Sequence, residues 1–298
     1  MEFNRKLYLI ALVFSLPVFL FLFSQDLAVA ESSVDITASK PDLKVLIKSV
    51  IKNESLINPI KVKYRKEWQS EAERPQRNYS GRRPGRRYSF ANCTWVQSGH
   101  RHKATSDIFY EPNELARKML YIVDEHNKKY IAISPPKLNI FTFKWNTDIT
   151  ITALGLRPFE GNHKLSEILT ESCLRVHPKS KVIGARLTWV IDAKRIHEPV
   201  YYARIWIDPE RGIALRTEYF GKDPDTDQRK IGTIDSIKLT QLPNSGWFPL
   251  SGRRTIHFKD WTSHSLIKVD PSSITIDPND MPNSLFDWSV EPKPLYTQ

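Results

Sequence analysis

Apolar side chains at Leu43, Leu46, Ile47, Val50 and Ile51 recur three and four residues apart, a spacing that gathers them on one face of a helix. Ser39, three residues ahead of Asp42, supplies a start signal for that helix. The period then changes to two. Ile60, Val62 and Tyr64 alternate with Lys61, Lys63 and Arg65, the pattern of a strand with one buried and one wet face. Further strands are predicted over 88–97, 103–110, 119–123, 130–134 and 139–145, with the polar stretch 124–129 as a hairpin tip. A second helix is predicted from the stripe Leu165, Ile168, Leu169, Cys173 and Val176, ending at Pro178. The apolar segment 149–159 ahead of it, with Gly155 and Pro158, fits neither period and reads as a lid or a loop.

Alternation is cleanest in the second half, where Ile183, Ala185, Leu187, Trp189 and Ile191 predict one strand over 182–191. Strands follow over 201–207 and 213–220, joined by Asp208-Pro209-Glu210-Arg211-Gly212, in which Asp and Pro open a turn and Gly212 takes the positive φ that closes it. The meander is completed by strands over 230–240, 253–258 and 265–269, with Pro243-Asn244-Ser245-Gly246 as another turn. Successive antiparallel strands with only two helices imply a mainly β (α+β) fold built on one curved antiparallel sheet. The few helices must cover one face, leaving an apolar concavity suited to a lipid.

Arg5 and Lys6 precede a nearly uncharged apolar run over 7–23, and Ala28-Val29-Ala30 precedes Glu31. This order predicts a secretory signal peptide over 1–30, cleaved after Ala30, with an uncleaved anchor as the alternative. Residues 31–298 then form a single domain in the periplasm or another extracytoplasmic space, soluble after cleavage and membrane-anchored if the signal is retained. The net charge of +11 belongs to that domain, because Arg5 and Lys6 are balanced by Glu2 and Asp26. Outside the cytoplasm such a charge points to anionic membrane surfaces or envelope proteins as partners, and not to nucleic acid. Its densest patch, 74–87, includes Arg82, Arg83, Arg86 and Arg87 among Pro and Gly; it reads as a loop that either contacts an anionic surface or serves solubility. Cys93 and Cys173 either pair across a long loop or remain separate buried thiols.

No sequence motif indicates an enzyme or a cofactor. There is no Gly-x-Ser-x-Gly elbow, His-Glu-x-x-His pair, Gly-rich phosphate loop or Cys-x-x-Cys. His100 and His102 fall on one strand face but lack a spaced third metal ligand, so they read as surface histidines. Asp124, Glu125 and His126 read as turn residues, and Asp208 as serving its turn. Trp95, Trp145, Trp189, Trp206 and Trp247 suggest either a core or stacking on sugars, the latter defining an alternative envelope glycan-binding or scaffold module. The Asn-x-Ser/Thr triplets at Asn53, Asn78 and Asn92 are read as chance.

The export signal, the amphipathic first helix, the basic first strand ending at Trp68, and the hairpin from Trp206 to Arg216 together resemble the LolA/LolB-like superfamily of periplasmic lipoprotein carriers and receptors. The resemblance spans most of 39–290 in order of elements and only the hairpin in detail. It implies an unclosed half-barrel covered by helices, holding lipid or lipoprotein acyl chains without catalysing a reaction. The Arg-rich insertion and the long segment 271–298 depart from the family pattern. The expected cavity lining is Ile183, Leu187, Trp189, Ile205 and Ile207, with Leu46 and Val50 from the first helix and Leu165, Ile168 and Leu169 from the second.

Overall fold

The structure, a computed structural model, describes residues 42–70, 88–110, 114–123, 129–134, 139–142, 164–195, 202–257 and 262–287. Helix α1 (Leu43–Leu56) leads into β1 (Ile60–Ser70), at the middle of a single antiparallel sheet. From there β2 (Tyr88–Ser98), β3 (Arg101–Tyr110), β4 (Glu114–Val123), β5 (Lys129–Ser134) and β6 (Asn139–Thr142) run outward to one edge. The described chain resumes at the other edge with α2 (Leu165–Glu171), β7 (Ser172–Val176) and β8 (Lys181–Ile183). Strands β9 (Arg186–Arg195), β10 (Tyr202–Asp208), β11 (Ile213–Phe220), β12 (Lys230–Gln241), β13 (Trp247–His257) and β14 (Thr262–Val269) return to the middle. There β14 pairs with β1, from Tyr64 opposite Val269 to Ser70 opposite Ser263. The two edges, β6 and β7, do not pair with each other, so the sheet is an unclosed half-barrel.

The alternation predicted for each strand has a common direction. Val62 and Tyr64 of β1, Cys93 and Trp95 of β2, Tyr121 and Val123 of β4, and Ile267 and Val269 of β14 share one core cluster. Ile191 and Ala193 of β9 and Ala203, Ile205 and Ile207 of β10 form a second cluster with the helices. The registers of β14 through β10 place both clusters on one face, here called the inner face.

Two predicted elements are divided differently. The stripe of the second helix breaks at Glu171, and Ser172–Val176 form the edge strand β7 against β9. Leu174 turns inward while Arg175 reaches Asp192 on the opposite face, so the tail of that stripe follows the period of a strand. The predicted strand 182–191 is a hairpin, because Gly184 takes φ +60° between β8 and β9. β7 and β8 share the same side of β9, and the intervening residues 177–180 shift the register by two. β13 also starts at Trp247, six residues before the predicted strand. Of the predicted tip 124–129, Lys129 opens β5, and 124–128 with Asp124, Glu125 and His126 lie outside the described residues, as do the segment 149–159, Trp145 and Ser39. Asp42 caps α1, accepting a bond from the Lys44 N–H at 2.8 Å.

The cysteines are separate thiols, Cys93 buried and Cys173 exposed. Burial pushes the Cys93 thiol up, against an opposing hydrogen bond with Ser106 Oγ at 3.2 Å. His102 is buried and stacked on Trp95, and His100 lies in the β2–β3 turn. Among the described residues no group of three His, Cys, Asp or Glu side chains could hold a metal.

The outer face carries a ladder of alternating charge. Arg175, Asp192, Arg204 and Glu218 are successive cross-strand neighbours on β7, β9, β10 and β11. Asp192, only 3% exposed, accepts from Arg204 Nε at 2.7 Å, Arg175 Nη2 at 2.7 Å and His177 Nε2 at 2.9 Å. Asp223 and Asp225, on the β11–β12 loop, close the ladder onto Arg175 and Arg204. Burial alone would raise the Asp192 pKa, but the bonds from Arg204, His177 and Arg175 prevail and hold it well below the usual range.

Asp192→Ala leaves the half-buried Arg204 guanidinium without its central partner and is expected to lower stability by about 3 kcal/mol in urea unfolding at pH 7. Because the folded pKa lies below the unfolded one, this contribution is complete above the ordinary Asp range of about 3.9 and is lost as pH falls through the folded value. The variant should therefore show a flatter acid limb than the parent.

Candidate functional site

The site is the helix-covered part of the inner face, and α1 reaches it through its stripe. Leu46 and Val50 point onto the sheet while Val45 and Ile51 stay exposed. The next position along the stripe, Asn53, is polar and buried. Its amide donates to the Trp247 carbonyl at 3.2 Å and accepts from the Trp247 N–H at 2.7 Å, a reciprocal pair that fixes helix and β13 in register. Asn244 donates through its amide nitrogen to the Leu56 carbonyl, and Ser49 donates to the Pro209 carbonyl at 2.7 Å. The helix is thus pinned to two hairpin turns, 208–212 and 242–246.

Those turns are shaped for the approach. Asp208 is buried and accepts from the N–H groups of Glu210 and Arg211 at 3.0 and 3.1 Å and from Arg211 Nη1 at 2.8 Å. The Arg211 guanidinium lies 4.5 Å from the centre of the Trp247 ring. Gly212 has φ +60°, and a Cβ there would fall 2.2 Å from the Ser49 carbonyl oxygen. The hairpin singled out in the sequence is therefore a docking platform for α1, with no room for a side chain at its glycine.

α2 is short and depends on its neighbours. Glu167 accepts from the Lys164 N–H at its start at 2.9 Å, and Glu54 of α1 accepts from the N–H and hydroxyl of Ser166. Burial raises the Glu54 pKa despite the opposing bonds from Ser166. Leu165, Ile168 and Leu169 face the sheet beside α1.

Of the expected lining residues, Leu46, Val50, Leu165, Ile168, Leu169, Ile205 and Ile207 meet in one cluster. Trp189 is the cross-strand partner of Ile207 and is buried; Leu187, two residues away on the same strand face, is half-buried. Ile183 sits in a separate cluster with Val190, Trp206, Ile213 and Leu215. Trp95, Trp189 and Trp206 are buried and Trp247 half-buried, so these four form no exposed row of the kind sugar stacking needs. Arg82, Arg83, Arg86 and Arg87 lie outside the described residues. Among the described residues no helix is long and apolar enough to cross a membrane.

The sequence matches no protein-family model and no curated protein. Its fold is that of the LolA superfamily. A LolA superfamily protein from Nitrosomonas europaea superposes with a TM-score of 0.53 at 10% identity, covering 85% of this chain and 99% of its own. An outer membrane lipoprotein-sorting protein domain from Vibrio parahaemolyticus superposes with a TM-score of 0.50 at 9% identity, covering 82% and 99%.

Gly212→Ala should cost about 3 kcal/mol in chemical unfolding, because it adds a clash with α1 to an unfavourable φ. Gly184→Ala is the control: it has the same φ with nothing within 4 Å of the added Cβ, and should cost about 1 kcal/mol. Glu54 binds its proton more tightly folded than unfolded, so its contribution to stability declines as pH rises from its ordinary carboxyl range through the folded value. Glu54→Gln should flatten that dependence, and Glu54→Ala should speed hydrogen exchange at the α2 amides.

Proposed function

We propose that the chain is an exported, non-enzymatic carrier or receptor that binds lipid or lipoprotein acyl chains between its helices and the inner face of its sheet. Residues 31–298 act as one unit in the periplasm or an equivalent extracytoplasmic space, with 1–30 as the export signal. The observation that carries this reading is the helix pair on an apolar inner face, in a fold shared with a lipoprotein-sorting protein domain. The cavity walls are Leu46 and Val50 on α1, Leu165, Ile168 and Leu169 on α2, and Leu187, Trp189, Ile205 and Ile207 on the sheet; Ile183 is not among them, because it packs with Val190 and Trp206 on the opposite face. Arg82, Arg83, Arg86 and Arg87 contact the anionic surface that donates or receives the lipid.

The side chains of α1, α2, β9 and β10 are packed together, so a ligand must part them. Withdrawing Leu165, Ile168 and Leu169 from the sheet gives up roughly 5–9 kcal/mol, at about 1.5–3 kcal/mol per side chain. A long acyl chain gains on the order of 10 kcal/mol on leaving water, at about 0.8 kcal/mol per CH₂. Exchange of α2 for an acyl chain is therefore close to balanced, which suits a carrier that must load and release.

The test is native mass spectrometry of protein purified without detergent from its own envelope, followed by organic extraction. A stoichiometric acylated species is expected. An empty protein that also ignores added acyl chains would overturn the reading.

A further inference from the structure

The outward side of α1 has a composition that its packing does not explain. Leu46, Val50 and Asn53 are buried against the sheet, and the bonds from Asn53 to Trp247 and from Ser49 to Pro209 fix the helix in rotation. The other side therefore cannot turn inward. It carries Lys44, Lys48 and Lys52, all exposed, four residues apart and so in one row along the helix. Val45 and Ile51 flank that row at 63% and 48% exposure, the two most exposed large apolar side chains among the described residues.

The row does not serve the helix that bears it. Like charges four residues apart repel one another, and Lys44, the second residue of α1, stands at the positive end of the helix dipole. α1 has no acid in its first turn and no base in its last, the placements that would stabilise it. Among the described residues none of the three ammonium groups forms an ion pair. Neighbouring acids are engaged elsewhere: Asp42 accepts from the Lys44 N–H, Glu54 from Ser166, and Glu210 lies 3.5 Å from Arg211. Glu171, the last residue of α2, is exposed. A row of cations between apolar side chains matches a surface that sets anionic groups above hydrocarbon.

We propose that this face of α1 docks on an anionic phospholipid bilayer, with Lys44, Lys48 and Lys52 at the level of the phosphates and Val45 and Ile51 reaching below the headgroups. The inference goes beyond acyl binding and does not depend on it. A bilayer fits better than a soluble polyanion, because only the bilayer takes Val45 and Ile51 out of water. Docking through α1 also brings the proposed acyl-binding region beside a membrane that could supply its lipid.

The test is co-sedimentation of the secreted protein with vesicles of phosphatidylcholine alone, or of phosphatidylcholine and phosphatidylglycerol in equal parts. Arg82, Arg83, Arg86 and Arg87 are changed to Gln throughout, so that the helix is read without the loop. The protein should bind the anionic vesicles in preference to the neutral ones, and leave them as salt screens the charges. Each lysine near such a surface strengthens partition about fivefold. Lys44→Gln/Lys48→Gln/Lys52→Gln should therefore weaken binding at least about tenfold, and Val45→Ser/Ile51→Ser severalfold. All five positions are exposed, and far-UV circular dichroism checks that both variants fold. An independent readout uses a Cys173→Ser background, in which the remaining Cys93 is buried. An environment-sensitive fluorophore on Ile51→Cys should shift to the blue on anionic vesicles, and one on Lys268→Cys, exposed on the outer face, should not. No binding to anionic vesicles, a smaller loss in the lysine variant, or a shift at position 268 in place of 51 would overturn the proposal. Binding that needs the lysines but ignores Val45→Ser/Ile51→Ser would overturn the bilayer and assign the face to a soluble polyanion. Lipid recovered by organic extraction reads the acyl-binding proposal separately, so either can fail alone.

Discussion

The pairing of β1 with β14 holds the two halves of the molecule together. One meander runs from β1 to an edge and the other returns from the opposite edge to β14, so the contact between Tyr64 and Val269 joins residues about two hundred positions apart. Closing so long a loop carries an entropic penalty that grows only slowly with length, and the seam answers it with a continuous ladder and a buried apolar face. Tyr64, Ile267 and Val269 belong to the same cluster as Trp95 and Phe248, so the seam lies inside the core. The C-terminal chain reinforces it: Thr275 exchanges backbone hydrogen bonds with Lys61 at 2.8 and 2.9 Å, and the Asp270 N–H donates to the Lys63 carbonyl at 3.0 Å.

With the seam in place, the inner face becomes one surface with two chemistries. Beneath α1 and α2 it is closed by side chains from both layers. Toward β1 through β4 it is aromatic, with Tyr64, Trp95 and Tyr121, and Lys66 lies against Trp68. On the other side Asp192 and Glu218 belong to the Arg175–Asp192–Arg204–Glu218 ladder, Asp235 pairs with Arg216, and Glu67 pairs with Arg65 and Lys268. Charge on the outer face thus has a structural task.

Most of the fold was legible because its strands are amphipathic and its turns carry their own signals. The period of two located β1, β10 and β11 almost to the residue, and Asp208 to Gly212 marked a true turn. The period of 3.6 found α1 but ran too far at α2, because Leu165 to Val176 satisfies a helical stripe even though β9 offers Ser172 to Val176 a ladder. Likewise, alternation over 182–191 does not reveal a tight turn within it, since a two-residue hairpin preserves the pattern on each side. The site was less legible. Asn53 passed as a chance glycosylation triplet, although a polar residue three positions after Val50 on a buried stripe was its signal. Lys66 was readable too, since counting on by twos from Ile60 places it and Trp68 inward.

The interrupted edge has a consequence for solubility and self-association. An open sheet presents unpaired backbone groups along its last strand, and a long flat edge invites another chain to continue the ladder. Here the described edge opposite β6 is two short pieces, β7 and β8, separated by residues 177–180 and offset in register. No straight strand can add across both, and Arg175, drawn toward Asp192, Asp223 and Asp225, sets a charged side chain at the margin. An open sheet is in this way given, along this described edge, a poor template for a further strand.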